Sequence, residues 1–87
     1  MLKQKVLIQT FSTMNKLRDK KLLIAFGKHL REIRKKKQLS MEKLAIEADV
    51  ETSQVFRIEK GLVNPTLSSL KTLSNALNIG LCELTSF

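Results

Sequence analysis

The sequence has little of what staples, kinks or decorates a small fold. Its 87 residues include one cysteine, one proline, one histidine and three glycines, and neither Trp nor Tyr. A single thiol, Cys82, allows no intrachain disulfide framework and fits a reducing compartment. One His and one Cys fall short of the three or four ligands of a zinc site. The scarcity of breakers disfavours a turn-rich β-fold and favours helices. The longest apolar run is Leu22–Phe26, far below the roughly 20 residues that span a bilayer. The apolar stretch near the start is broken by Gln9 and Thr10, so no secretory leader is expected. No phosphate loop, nucleophile–base arrangement or metal set stands out, so neither an enzyme nor a cofactor is expected.

Leucine and basic charge are what the chain does have. Leu occurs 15 times, and the hydrophobic share of 43% is that of a folded domain with an aliphatic core. Sixteen Lys+Arg face eight Asp+Glu, for a net charge of +8. The excess is local: residues 16–37 hold ten bases and two acids, while residues 38–87 hold four bases and six acids. A basic segment on a helical domain implies an anionic partner, nucleic acid or a membrane surface. A solvated helix face is the plainer alternative for Lys35, Lys36 and Lys37.

Apolar spacing divides the chain into five helices. Residues 1–20 read as a poorly defined N-terminal extension, with Lys5–Phe11 open to a short strand, a frayed helix or an added leader. Residues 21–87 read as one domain. Leu23, Phe26, Leu30 and Ile33 form a three–four stripe on a helix over 22–37, with Asp19 a possible cap. Gly27 inside that helix implies close packing. Ser40 caps a short second helix whose apolar face is Leu44, Ala45 and Ala48. A third helix, 52–60, turns Val55 and Ile58 inward and stops at Gly61. Thr66 caps a fourth carrying Leu67, Leu70, Leu73, Ala76 and Leu77, and Leu81–Leu84 makes a short fifth.

The pair of helices at 40–60 carries the functional signal. Two short helices crossing steeply need a small residue at their contact (Ala45), an apolar plug after the turn (Val50) and inward anchors on the second helix (Val55, Ile58). That leaves Thr52, Ser53, Gln54 and Arg57 outward, side chains able to hydrogen-bond base edges.

The stretches FGKHLREIRKKKQLSMEKLA, VETSQVFRIEKG and NPTLSSLKTLSNALNI resemble the phage repressor and Cro type of helix-turn-helix regulator, the XRE family, over Phe26–Phe87. The resemblance is nearest to small stand-alone members such as restriction–modification controller proteins. It implies an all-α, five-helix lambda-repressor-like DNA-binding domain with helix 52–60 in the major groove. The implied base-reading residues are Thr52, Ser53, Gln54 and Arg57. The implied phosphate contacts are Ser40, Met41, Lys37, Lys60, Asn64, Thr66, Leu67 and Ser68. Arg34 and Glu59 match the family's buried ion pair. Three positions depart from the pattern: Asp49 replaces a frequent Gly, Met41 a frequent Gln, and Phe56 a small or polar residue.

The terminal Leu81, Leu84 and Phe87 read as either the last layer of the core or a dimer interface, and the dimer is favoured because a core this small leaves little to bury them. The expected function is a cytoplasmic, bacterial, homodimeric transcription regulator on double-stranded DNA. Its operator would be an inverted repeat with half-sites roughly 34 Å apart. An antitoxin with a toxin partner, and a basic amphipathic helix at 16–37 on an anionic membrane, are the alternatives from other classes.

Overall fold

The computed structural model describes residues 2–87, with side chains from Asp19 onward. Five helices follow in order: α1 (Leu2–Lys36), α2 (Met41–Ala48), α3 (Thr52–Glu59), α4 (Leu67–Ala76) and α5 (Leu81–Leu84). No strand occurs among the described residues. This is the all-α, five-helix arrangement that the apolar spacing predicts.

Helix ends follow from local chemistry. The Ser40 hydroxyl oxygen accepts from the Lys43 N–H at 3.1 Å, and that of Thr66 accepts from the Ser69 N–H at 3.1 Å. Each serves one of the four N–H groups that an α-helix leaves unpaired at its start. At the other end, α3 closes with Gly61 at φ 72°. The Leu62 N–H then reaches the Arg57 carbonyl and the Gly61 N–H the Ile58 carbonyl, the paired bonds of a Schellman cap. Three non-glycine residues make the same left-handed turn: Gln38 (φ 59°), Asp49 (φ 56°) and Asn78 (φ 56°). Asp49 thus takes a left-handed conformation that a glycine adopts freely, and the turn forms with Asp in place.

One expectation fails at α1. Asp19 lies inside the helix rather than capping it. The helix begins at Leu2, and nothing between Leu2 and Phe26 is a glycine or proline that would interrupt it.

The core is aliphatic. Phe26 and Leu30 of α1 pack with Leu44, Ala45 and Ala48 of α2, Val55 and Ile58 of α3, Leu73 of α4, and Leu77 just beyond it. Each fully buried leucine contributes about 1.5–3 kcal/mol over an exposed one. Helix α3 packs on both α1 and α2, α2 also on α4, and α4 on α5. Gly27 is where α1 crosses α3: a Cβ there would stand 2.5 Å from the Ile58 carbonyl oxygen and collide with Glu59 as well. The two helices therefore touch backbone to backbone, as a glycine in mid-helix implies.

Leu84 corrects the sequence reading. It is 0% exposed and belongs to the protomer's own core, so it has no surface to offer a partner chain. The four-residue α5 turns Leu84 inward onto the bundle and leaves Leu81 half-buried. Phe87 is 51% exposed and rests against the Phe26 and His29 rings, with centroids 5.6 and 5.7 Å away. The His29 Nε2 bonds to the Glu83 carbonyl oxygen at 3.0 Å, tying α1 to α5. Cys82 is exposed.

Candidate nucleic-acid interface

The inward positions of α3 are Val55, Ile58 and Glu59. With a period of 3.6 this forces Ser53, Phe56, Arg57 and Lys60 onto one exposed stripe, and all four are exposed. Thr52 and Gln54 sit half-buried on its shoulders. Of the four sequence-predicted readers, Ser53 and Arg57 therefore stand clear of the surface, while Thr52 and Gln54 flank them.

What fixes this helix is an ion pair. The Arg34 Nε donates to Glu59 Oε2 at 2.6 Å, and Nη2 donates to Oε1 at 3.0 Å. Nη1 donates to the Leu39 carbonyl at 2.8 Å. Glu59 is the last residue of α3, Arg34 lies in the last turn of α1, and Leu39 belongs to the loop entering α2. One guanidinium thus sets the rotation of α3 and the entry of α2. The hydrogen bond to Glu59 raises the Arg34 pKa above its ordinary value; burial opposes this, and the charges of Glu59 and Glu42 add to it. Each of its three nitrogens donates a bond within the fold, so Arg34 aligns the interface.

A cleft of about 320 Å³ runs beside the α3 stripe. Lys28, Arg31 and Lys60 supply cationic walls, and Ile24, Met41 and Phe56 line it with apolar surface. The Lys60 Nζ stands 5.8 Å from the centroid of the Phe56 ring, within cation–π range. Phe56, where the family pattern has a small or polar residue, remains 45% exposed at this wall. Sequence reasoning proposed Lys60 and Met41 but left Lys28 and Arg31 within the general basic charge of α1. Their spacing of three residues becomes meaningful only once α1 crosses α3.

Two helix starts complete the surface. At α2 the N–H groups of Met41 and Glu42 have no partner within the helix, because the Ser40 side chain serves Lys43 and its carbonyl serves Leu44. Any anion contact at Met41 is through its backbone, since the side chain lines the cleft. At α4 the N–H groups of Leu67 and Ser68 are the free ones, with Asn64 exposed nearby. The Thr66 hydroxyl is occupied, donating to Ser69 Oγ at 3.0 Å while accepting from the Ser69 N–H. Lys37 is exposed in the turn after α1.

A helix-turn-helix family model matches residues 30–84. This chain belongs to the XRE-type helix-turn-helix family of DNA-binding transcription regulators. Among its relatives, the control protein C.BamHI of Bacillus amyloliquefaciens is 35% identical over 65 residues, covering 74% of this chain and 80% of that protein. The control protein C.MunI of Mycoplasma sp is 39% identical over 64 residues, covering 72% and 86%. The crystal structure of the restriction-modification controller protein C.AhdI from Aeromonas hydrophila superposes with a TM-score of 0.70 at 40% identity, covering 71% of this chain and 94% of that one. The fold is accordingly the lambda-repressor-like one. No helix among the described residues is long and apolar enough to cross a membrane.

Proposed function

We propose that this family member is a homodimeric controller that binds an inverted-repeat operator, each protomer laying α3 in the major groove of one half-site. The observation that carries the reading is the exposed Ser53–Phe56–Arg57–Lys60 stripe on a helix locked in rotation by Arg34 and Glu59. Arg57 offers a bidentate donor fork for guanine, Gln54 suits adenine, Thr52 adapts to several bases, and Ser53 stands between them as a further polar contact. Lys28, Arg31 and Lys60 face one flanking phosphate strand across the cleft, beside the free N–H groups of Met41 and Glu42. The free N–H groups of Leu67 and Ser68, with Asn64, meet the phosphates on the other side of α3. These contacts supply affinity and salt dependence; the stripe supplies discrimination.

The dimer contact falls to the part of the terminal group that remains outside the core. Phe87 borders an apolar groove of about 340 Å³ that also involves Leu22, Leu23, Phe26, Pro65 and Leu70. A second copy burying this groove is the arrangement we favour. Sedimentation equilibrium is then expected to give twice the chain mass of 9.9 kDa. Phe87→Glu is expected to shift the equilibrium toward monomer with the helical circular-dichroism signal retained. Leu84→Glu, by contrast, unfolds the protomer, because it places a charge in the core. A monomer that binds DNA with one chain per site would overturn the dimer.

A further inference from the structure

Glu51 sits at the leading end of α3 and fills none of the roles that an acid usually fills there. It precedes the helix in extended conformation, φ −75° and ψ 147°, and its side chain caps no backbone N–H. It is exposed and forms no ion pair among the described residues. Its side-chain partner is Ser53, whose hydroxyl donates to Glu51 Oε2 in a long bond of 3.4 Å. On a surface that approaches a polyanion, an unpaired carboxylate weakens binding to the phosphate backbone of any sequence. Its place beside the reading stripe therefore calls for a base-specific role.

Hydrogen-bond inventory narrows that role. An ionised carboxylate only accepts. When the Ser53 hydroxyl donates to Glu51 it presents only lone pairs outward. The two side chains form an acceptor-only patch at the tip of α3. In the major groove guanine shows two acceptors, thymine an acceptor and a methyl group, and adenine an amino group beside the N7 acceptor. Cytosine alone shows an amino donor with no acceptor on its own edge. We propose that Glu51, with Ser53 oriented by it, is a specificity-determining residue that reads the N4 amino group of a cytosine and disfavours the other bases at that position.

This rests on α3 being the reading helix, and the experiment separates the two. Wild type, Glu51→Gln and Glu51→Ala are taken through selection from one random duplex pool, with circular dichroism confirming that each is folded. Affinities are then measured on every single-base variant of the wild-type site. Wild type is expected to select cytosine at one position of each half-site and to lose about tenfold in affinity when that base is changed. Glu51→Ala is expected to lose that preference alone and to bind random duplex more tightly. Glu51→Gln, whose amide both donates and accepts, is expected to move the preference toward adenine. Wild type selecting no site overturns the assignment of α3 itself. Wild type selecting a site while Glu51→Ala keeps the same preference at every position overturns the role of Glu51 alone, as does a preference lost at a base other than cytosine.

Discussion

Arg57→Ala is expected to weaken binding to the selected operator by about 1–3 kcal/mol, roughly 5- to 150-fold, and to change binding to random duplex far less. Arg57 is exposed on α3 and makes no side-chain bond among the described residues, so the protein holds nothing that competes with a base for its guanidinium. A bidentate contact to guanine has a geometry that only one base pair satisfies, so the loss should concentrate at one position of each half-site. A phosphate contact would behave otherwise: the loss would be the same on both DNAs, and the salt slope would fall by about one. Competition binding at two salt concentrations reads both quantities. Equal loss on operator and random duplex would remove Arg57 from the readers and place it with Lys60.

The second large effect is on stability. Glu59→Ala is expected to destabilise the fold by about 3–5 kcal/mol, because it leaves the Arg34 guanidinium buried without its carboxylate. The bond from Nη1 to the Leu39 carbonyl remains and does not neutralise the charge. Replacing both partners together, Arg34→Met with Glu59→Leu, removes the buried charge rather than stranding it, and should recover much of the loss. The double variant also separates folding from function. With the pair gone, nothing of comparable directionality fixes the rotation of α3, so its operator affinity should fall more than its melting temperature. Urea denaturation and operator titration on the three proteins test this. A single variant as stable as wild type would contradict the pairing.

Some of this molecule is written locally in its sequence and some is not. Ser40, Thr66 and Gly61 announced helix ends because capping depends on a few neighbouring atoms. The inward set of α3 was legible because Val55 and Ile58 lie three apart on a helix only eight residues long. The start of α1 was not: Asp19 is a good cap residue, but its value as a signal depends on a break upstream, and residues 2–26 contain none. Leu84 and Phe87 are both apolar and terminal, and no periodicity is long enough in a four-residue helix to tell core from surface. The cleft was hidden for a different reason. Lys28 and Arg31 are ten or more positions from Met41 and further still from Phe56 and Lys60, and only the glycine-mediated approach of α1 to α3 brings them together.

Charge also divides differently in space than along the chain. The basic segment 16–37 belongs to α1 and the turn after it, whereas α3 and its flanks combine Arg57 and Lys60 with Glu51 and Glu59. Glu59 is neutralised inside the fold by Arg34. On the proposed reading, general attraction to DNA comes from α1 and discrimination from α3, so salt should alter the first strongly and the ranking of sequences little.

The most direct test of the central claim is selection of bound duplexes from a random pool by the wild-type chain. The account predicts a single enriched inverted repeat, its half-site centres about 10–10.5 base pairs or a multiple apart, with one guanine position in each half-site lost for Arg57→Ala. Enrichment of no sequence, or of one unsymmetric motif that Arg57→Ala leaves unchanged, would contradict it.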